Sequence, residues 1–183
     1  NLIELKDIPS ELIEPNFSGN SLEIMKKRHL LKDENSNVIE TPKQMFWRVA
    51  STIAAIDAKY VKGALPRKTK AVLKLAKEFY NVMAANRFLP GSRVLYEAGN
   101  NIDGTGQLSS CFVLPIEDSL ESIFQVMKEA ALVQKNNGGT GFNFSAIRPK
   151  GDSVGGTPNV AAGPIHFIKT FSQAFDQILQ GKK

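Results

Sequence analysis

Apolar residues in the first half of this chain recur at helical spacing, whereas in the second half they gather into short runs between turn residues. Ser21 to Leu31 sets Leu22, Met25 and Leu30 on one side of a short helix. Thr41-Pro42-Lys43-Gln44 combines a threonine cap, a proline at the first helical position and a glutamine three residues after the cap, which together mark a helix start. The helix it opens carries Met45, Phe46, Val49, Ile53 and Ile56 on one stripe. After Gly63 and Pro66, a further amphipathic helix runs to about Asn86, with Val72, Leu75, Phe79, Val82 and Met83 inward. Residues 1–20 lack such periodicity and read as an irregular arm. The expectation for residues 1–90 is a small all-helical domain.

At Pro90 the pattern changes. Gly91, Gly99, Gly104 and Gly106, with Asn100, Asn101 and Asp103, mark turns around a short Val94-Leu95-Tyr96 segment. Leu108 to Leu114 is apolar at most positions and predicts a buried strand. Asp118-Ser-Leu-Glu121 has the form of a second capping box, with Asp118 as cap, and opens a helix with Leu120, Ile123, Phe124, Met127 and Ala131 on its inner face. The glycine turn Gly138-Gly-Thr-Gly141 precedes a second strand, Gly141 to Ile147. A Gly- and Pro-rich loop, Arg148 to Asn159, leads to a last helix from Pro164 with Phe167, Ile168, Phe171, Phe175 and Ile178 apolar. Strand, helix, strand, loop and helix predict the start of an α/β domain with parallel strands over residues 91–183. Two strands do not make a stable sheet, so the expectation is an incomplete domain.

Composition narrows the class. The chain has 183 residues, 42% of them hydrophobic and 22% charged, as in ordinary globular proteins. No apolar run is long enough to cross a bilayer and no basic-then-apolar leader opens the chain, so no membrane partner is expected. A net charge of +5 comes from lysines spread along helix faces (Lys59, Lys62, Lys68, Lys70, Lys74, Lys77), the pattern of a solvated surface, with no aromatic-interleaved basic patch for nucleic acid. A single cysteine excludes an intrachain disulfide and suits a reducing, cytoplasmic compartment.

That cysteine, Cys111, is the first candidate for chemistry. A lone strand cysteine is commonly a small buried hydrophobe, but Ser109 and Ser110 beside it give a polar edge that suits an accessible redox thiol. His29 and His166 offer no sequence-adjacent context for a cysteine–histidine nucleophile. Three glycines within Gly138 to Gly141 exceed the one that a helix C-cap requires, and allow close backbone approach to a ligand. Asp118 reads locally as a cap. Arg148 and Lys150, ahead of Gly151-Asp-Ser-Val-Gly-Gly156, either solvate a loop or surround a phosphate. No metal-ligating cluster stands out.

In order and spacing, Leu108-Ser-Ser-Cys-Phe-Val-Leu-Pro-Ile-Glu-Asp-Ser-Leu120, Gly138-Gly-Thr-Gly-Phe-Asn-Phe-Ser145 and Ile147-Arg-Pro-Lys-Gly151 resemble the class II, adenosylcobalamin-dependent ribonucleotide reductases. Arg87-Phe-Leu-Pro-Gly-Ser92 and Ala98-Gly99 are similar to the segment entering that family's barrel, and Met25 to Ile56 to its N-terminal helical region. The chain departs from the common pattern at Asn137 and Arg93. The resemblance implies an N-terminal helical domain followed by the first strands and helices of a ten-stranded α/β barrel. It implies radical reduction of ribonucleotides, with Cys111 as the N-terminal member of the thiol pair that delivers two electrons. Ser110, Gly138 and Gly139 would line the substrate pocket, and Ser92 would lie near the substrate phosphates. Asp118, Ser119, Leu120 and Arg148 would bind a deoxynucleotide effector. Expected partners are the C-terminal remainder of the enzyme, a thioredoxin-like or other dithiol reductant, and a second copy in dimeric members. Adenosylcobalamin would be held mainly by sequence outside this chain. With one cysteine, the chain alone would be inactive. The alternatives are the large subunit of a class I enzyme and a non-catalytic nucleotide-binding half of a split reductase.

Overall fold

In the computed structural model the described residues are 7–102, 105–156 and 158–178. The first part of the expected arm, the turn residues Asp103 and Gly104, Thr157 within the expected loop, and residues 179–183 lie outside them. The chain divides into two compact units, 1–108 and 109–183.

The first unit is helical: α1 (Gly19–Arg28), α2 (Pro42–Ala55), α3 (Leu65–Ala84) and the short α4 (Ser92–Glu97). Each boundary has a local cause. Ser18 caps α1, and Thr41 caps α2 in the expected reciprocal box, its hydroxyl accepting from Gln44 N while Gln44 Oε1 accepts from Thr41 N. Met45, Phe46, Val49, Ala50 and Ala54 of α2 are buried against Val72, Ala76, Tyr80 and Met83 of α3. Tyr80 sits at the centre, edge-on to both Phe46 and Trp47, with its hydroxyl donating to Ile13 O at 2.8 Å. That bond ties part of the expected arm into the core. Two residues of the predicted stripes, Ile56 and Val82, are exposed. Ile56 lies just past the end of α2, in a short turn of tighter helix.

The Val94-Leu95-Tyr96 segment is helical. Its helix, α4, is bound to α2 by Arg48, whose guanidinium donates to the carbonyls of Leu95, Tyr96 and Ala98 while pairing with Glu40 at 2.7 Å. Because this clamp holds α4 within the helical unit, the units meet at 108/109, beyond the expected boundary at 90/91.

The second unit is α/β. Strand β1 (Cys111–Pro115) pairs in parallel with β2 (Gly139–Asn143), joined by α5 (Leu120–Lys135) and followed by α6 (Pro164–Asp176). The register sets Cys111 opposite Gly139 and Pro115 opposite Asn143. The core is formed by Ile116, Ile123, Val126, Ile147 and Phe171, with Phe142 of β2 edge-on to Phe171 at 5.0 Å and stacked on Phe175 at 5.8 Å. The sheet is open, as the start of a barrel requires. Both strands differ from their predicted spans. β1 begins three residues late, and its Cys111 and Val113 are exposed, so it is not the buried strand expected. β2 begins inside the glycine run, because Gly139 and Gly141 pair with β1. The inner face of α5 is Ile123, Val126, Ala130 and Gln134, while the predicted Leu120 and Phe124 point out.

Candidate functional site

Cys111 stands at the start of β1, where its thiol is exposed. Ser110 Oγ lies 3.8 Å from Sγ, and Ser110 O accepts from Gly139 N at 2.7 Å. The residue facing Cys111 across the ladder is Gly139, which has no side chain to cover the thiol. A Cβ added at Gly139 would make only an ordinary contact, 3.5 Å from Ser110 O. Gly138 differs. A Cβ there would fall 2.6 Å from Val133 Cγ1 and 3.1 Å from Phe112 Cε2, so packing alone requires glycine. Neither glycine caps α5. That position is Asn137, left-handed at φ 61°, whose N–H donates to Gln134 O at 2.8 Å while Gly138 N donates to Val133 O at 2.9 Å. These two bonds form a Schellman motif with asparagine where glycine is usual.

The structure brings Asp118 and Arg148 together. Arg148 donates through Nε to Asp118 Oδ2 at 2.6 Å and through its backbone N to Oδ1 at 3.2 Å, and Nη1 reaches Ser153 O at 3.0 Å. Hydrogen bonds from the Arg148 side chain and backbone hold the Asp118 carboxyl below its ordinary value. Asp118 is therefore not the cap expected of it. Ser119 caps α5, its hydroxyl accepting from Ser122 N at 3.1 Å, and Leu120 is the exposed first residue of the helix. The pairing follows from topology: Asp118 comes just after β1 and Arg148 just after β2, and parallel strands put both at the same end of the sheet. Cys111 and Gly139 stand at the other end. The loop after Arg148 is cross-linked, with Ser153 bridging Val160 and Ala161 N donating to Asp152 O at 2.8 Å.

Ser92 belongs to the helical unit. Its exposed hydroxyl lies 2.8 Å from His29 Nε2, a pairing across 63 positions that no local spacing signals, and which gives His29 the context it lacked in the sequence. In the same helix Glu97, buried, accepts from Thr105 N and Gly106 N and pairs with Arg93, which donates to Gln107 O and Thr105 Oγ1. Arg93 thus fastens the segment that leads into β1.

Among the described residues no group of three or more His, Cys, Asp or Glu side chains could hold a metal ion. Two cavities of the helical unit measure about 360 and 410 Å³. Both are at the small end of the range for drug-sized ligands and do not fit a corrinoid. No helix among the described residues is long and apolar enough to cross a membrane.

Residues 15–102 match the ribonucleotide reductase all-alpha domain, and residues 109–183 match the ribonucleotide reductase barrel domain. The chain is 37% identical to the vitamin B12-dependent ribonucleoside-diphosphate reductase of Thermoplasma acidophilum, over 90% of this chain and 27% of that protein. It is 36% identical to the enzyme of the same description from Mycobacterium tuberculosis, over 86% of this chain and 21% of that one. With the ribonucleoside-diphosphate reductase subunit alpha of Helicobacter pylori it shares 35% identity, over 84% of this chain and 18% of that protein. The chain thus spans about a quarter or less of the relatives it matches. A helical unit ending in α4, an exposed cysteine on the first strand of an open parallel sheet, and these matches over both units together place the chain in the ribonucleotide reductase family, as the all-alpha domain and the opening of the barrel of a large chain.

Proposed function

We propose that this chain supplies the helical domain and the first barrel strands of a ribonucleotide reductase of the adenosylcobalamin-dependent class, with Cys111 as one of its electron-delivering thiols. The observation that carries the reading is the register of Cys111 against Gly139, which leaves an exposed thiol beside a strand position without a side chain. A ribonucleotide can approach the sulfur there, with Ser110 and the Gly139 backbone at its edge. On the resemblance alone, Ser92 of the helical unit is read as a separate donor to the substrate phosphates. In the net step the 2′ carbon–oxygen bond breaks and the hydroxyl leaves as water. Cys111 and a second thiol, from sequence beyond this chain, become a disulfide. Of the two protons they release, one leaves with the hydroxyl in the water, and the other, with the two electrons, makes the new carbon–hydrogen bond at the 2′ position. A dithiol reductant of the thioredoxin type then exchanges with that disulfide and restores both thiols.

The B12-dependent relatives support the cobalamin class. The two cavities of the helical unit are too small for a corrinoid, which would be held mainly by sequence outside this chain.

At the other end of the sheet, Asp118, Ser119, Leu120 and Arg148 form the candidate effector site. Support comes from their place beyond the carboxyl ends of parallel strands, where open α/β sheets take ligands. A deoxynucleotide would meet the Arg148 guanidinium and the loop behind it.

The similarity to a subunit alpha favours a second reading, a large subunit served by a separate radical-generating subunit. The test is to combine the chain with the rest of its barrel and assay ribonucleoside diphosphate reduction with a dithiol. Turnover on adding adenosylcobalamin alone supports the first reading. Turnover only with a second protein subunit selects the other.

A further inference from the structure

Among the described residues Ser92 Oγ has the His29 imidazole as its hydrogen-bond partner, and the chemistry of that ring determines which way the hydroxyl proton points. His29 Nδ1 is buried and meets no partner among the described residues, while Nε2 lies 2.8 Å from Ser92 Oγ. A buried N–H without an acceptor is rarer in folded proteins than a buried lone pair without a donor. The tautomer that avoids it carries its proton on Nε2 and donates to Ser92. Burial, and secondarily the charge of Arg28 on the same helix end, lowers the pKa of the ring and keeps it neutral. With one lone pair of Ser92 engaged by Nε2–H, the hydroxyl keeps its own proton for another acceptor. Ser92 is exposed, so that proton is open to solvent or to a bound ligand.

We infer that His29 is a positioning residue for substrate binding: its Nε2–H fixes the Ser92 hydroxyl as a donor toward a phosphate oxygen of the nucleotide. The inference rests on the reading above that Ser92 faces the substrate phosphates, and adds a residue from α1's C-terminal end to that subsite. A hydroxyl left to rotate would as often present a lone pair to the anion as a proton. The imidazole removes that choice before the substrate arrives.

The test is a double-mutant cycle in the complete reductase, with CDP as substrate and steady-state kcat and KM as readouts. Ser92→Ala and His29→Phe should each raise KM about tenfold or more, the scale of one hydrogen bond to a charged group, with kcat little changed. The double variant should be no worse than Ser92→Ala alone. His29→Gln, whose amide keeps an N–H donor at similar reach, should recover most of the wild-type KM. It also keeps the comparison valid if His29→Phe folds poorly. The inference is overturned if His29→Phe leaves KM unchanged, if the two effects add in the double variant, or if His29→Gln is as impaired as His29→Phe. If Ser92→Ala itself leaves KM unchanged, the phosphate reading of Ser92 fails, and the role of His29 falls with it. An effective Ser92→Ala beside an inert His29→Phe overturns the histidine's role alone.

Discussion

Asp118 shows what a residue's own neighbourhood in sequence does and does not reveal. Followed three positions later by Glu121, it has the form of a helix cap, yet Ser119 takes that place and Asp118 turns to Arg148, thirty positions away in sequence. Both side chains stay about one-third exposed, so solvent screens the pair and its contribution to stability is small. Its sign is still fixed. The folded carboxyl titrates below its ordinary value of 3.8, so the pair stabilises the fold above that pH, and the contribution fades as pH falls through the lowered value. Asp118→Asn should therefore lower stability in urea unfolding at neutral pH, and the gap from wild type should close in acid. A gap that persisted unchanged at about pH 2 would mean that the carboxylate's charge plays no part. In the complete enzyme, the effector proposal predicts that Arg148→Ala weakens deoxynucleotide binding and blunts effector-driven changes in base preference while basal reduction survives. Assaying the four substrates with and without each effector checks it, and an unchanged response removes support for the site. Gly138 makes a simpler demand. Gly138→Ala drives a methyl into Val133 and Phe112, and should destabilise the chain by about 1–3 kcal/mol in chemical denaturation.

Among the elements, the helices were the most legible in the sequence because their ends carry their own chemistry. Thr41 and Gln44 form the expected box, and α2 begins where that box places it. The strands were less legible because pairing, not local preference, sets their limits. Leu108 to Ser110 look like strand but lie ahead of the ladder, while Gly139 and Gly141, poor strand formers by propensity, belong to β2 because β1 lies beside them. The outward turn of Leu120 and Phe124 has a similar origin: the face of α5 is set by the two strands it covers, and the sequence of α5 alone cannot show where they run. Least legible was α4. Its six residues are held by Arg48, which spans Glu40 and three carbonyls from Leu95 to Ala98. The Arg48 and Glu40 side chains are only 12% and 7% exposed, so removing one partner leaves the other as an uncompensated buried charge. Arg48→Ala should cost about 3–5 kcal/mol in equilibrium unfolding. A loss below about 1 kcal/mol would show that α4 holds its place without the clamp.

At the scale of the whole molecule, one cysteine and, among the described residues, a two-stranded sheet set the limits. Reduction of the 2′ position uses a thiol pair and radical generation uses further chemistry, and this chain offers one thiol on an open sheet. The isolated chain should form no deoxynucleotide from any ribonucleotide with adenosylcobalamin and a dithiol. The family and the division into helical and barrel parts could be read from motif order. The contacts of Ser92 with His29 and of Asp118 with Arg148 could not, because each joins segments that only folding brings together. The most direct test of the central claim is multiple-turnover reduction by the enzyme reconstituted with the rest of its barrel, comparing wild type with Cys111→Ser. Serine keeps the shape of the side chain but forms no disulfide, so the account predicts intact nucleotide binding and loss of sustained deoxynucleotide formation. Normal turnover by Cys111→Ser with a dithiol would contradict it and leave Cys111 no part in the chemistry.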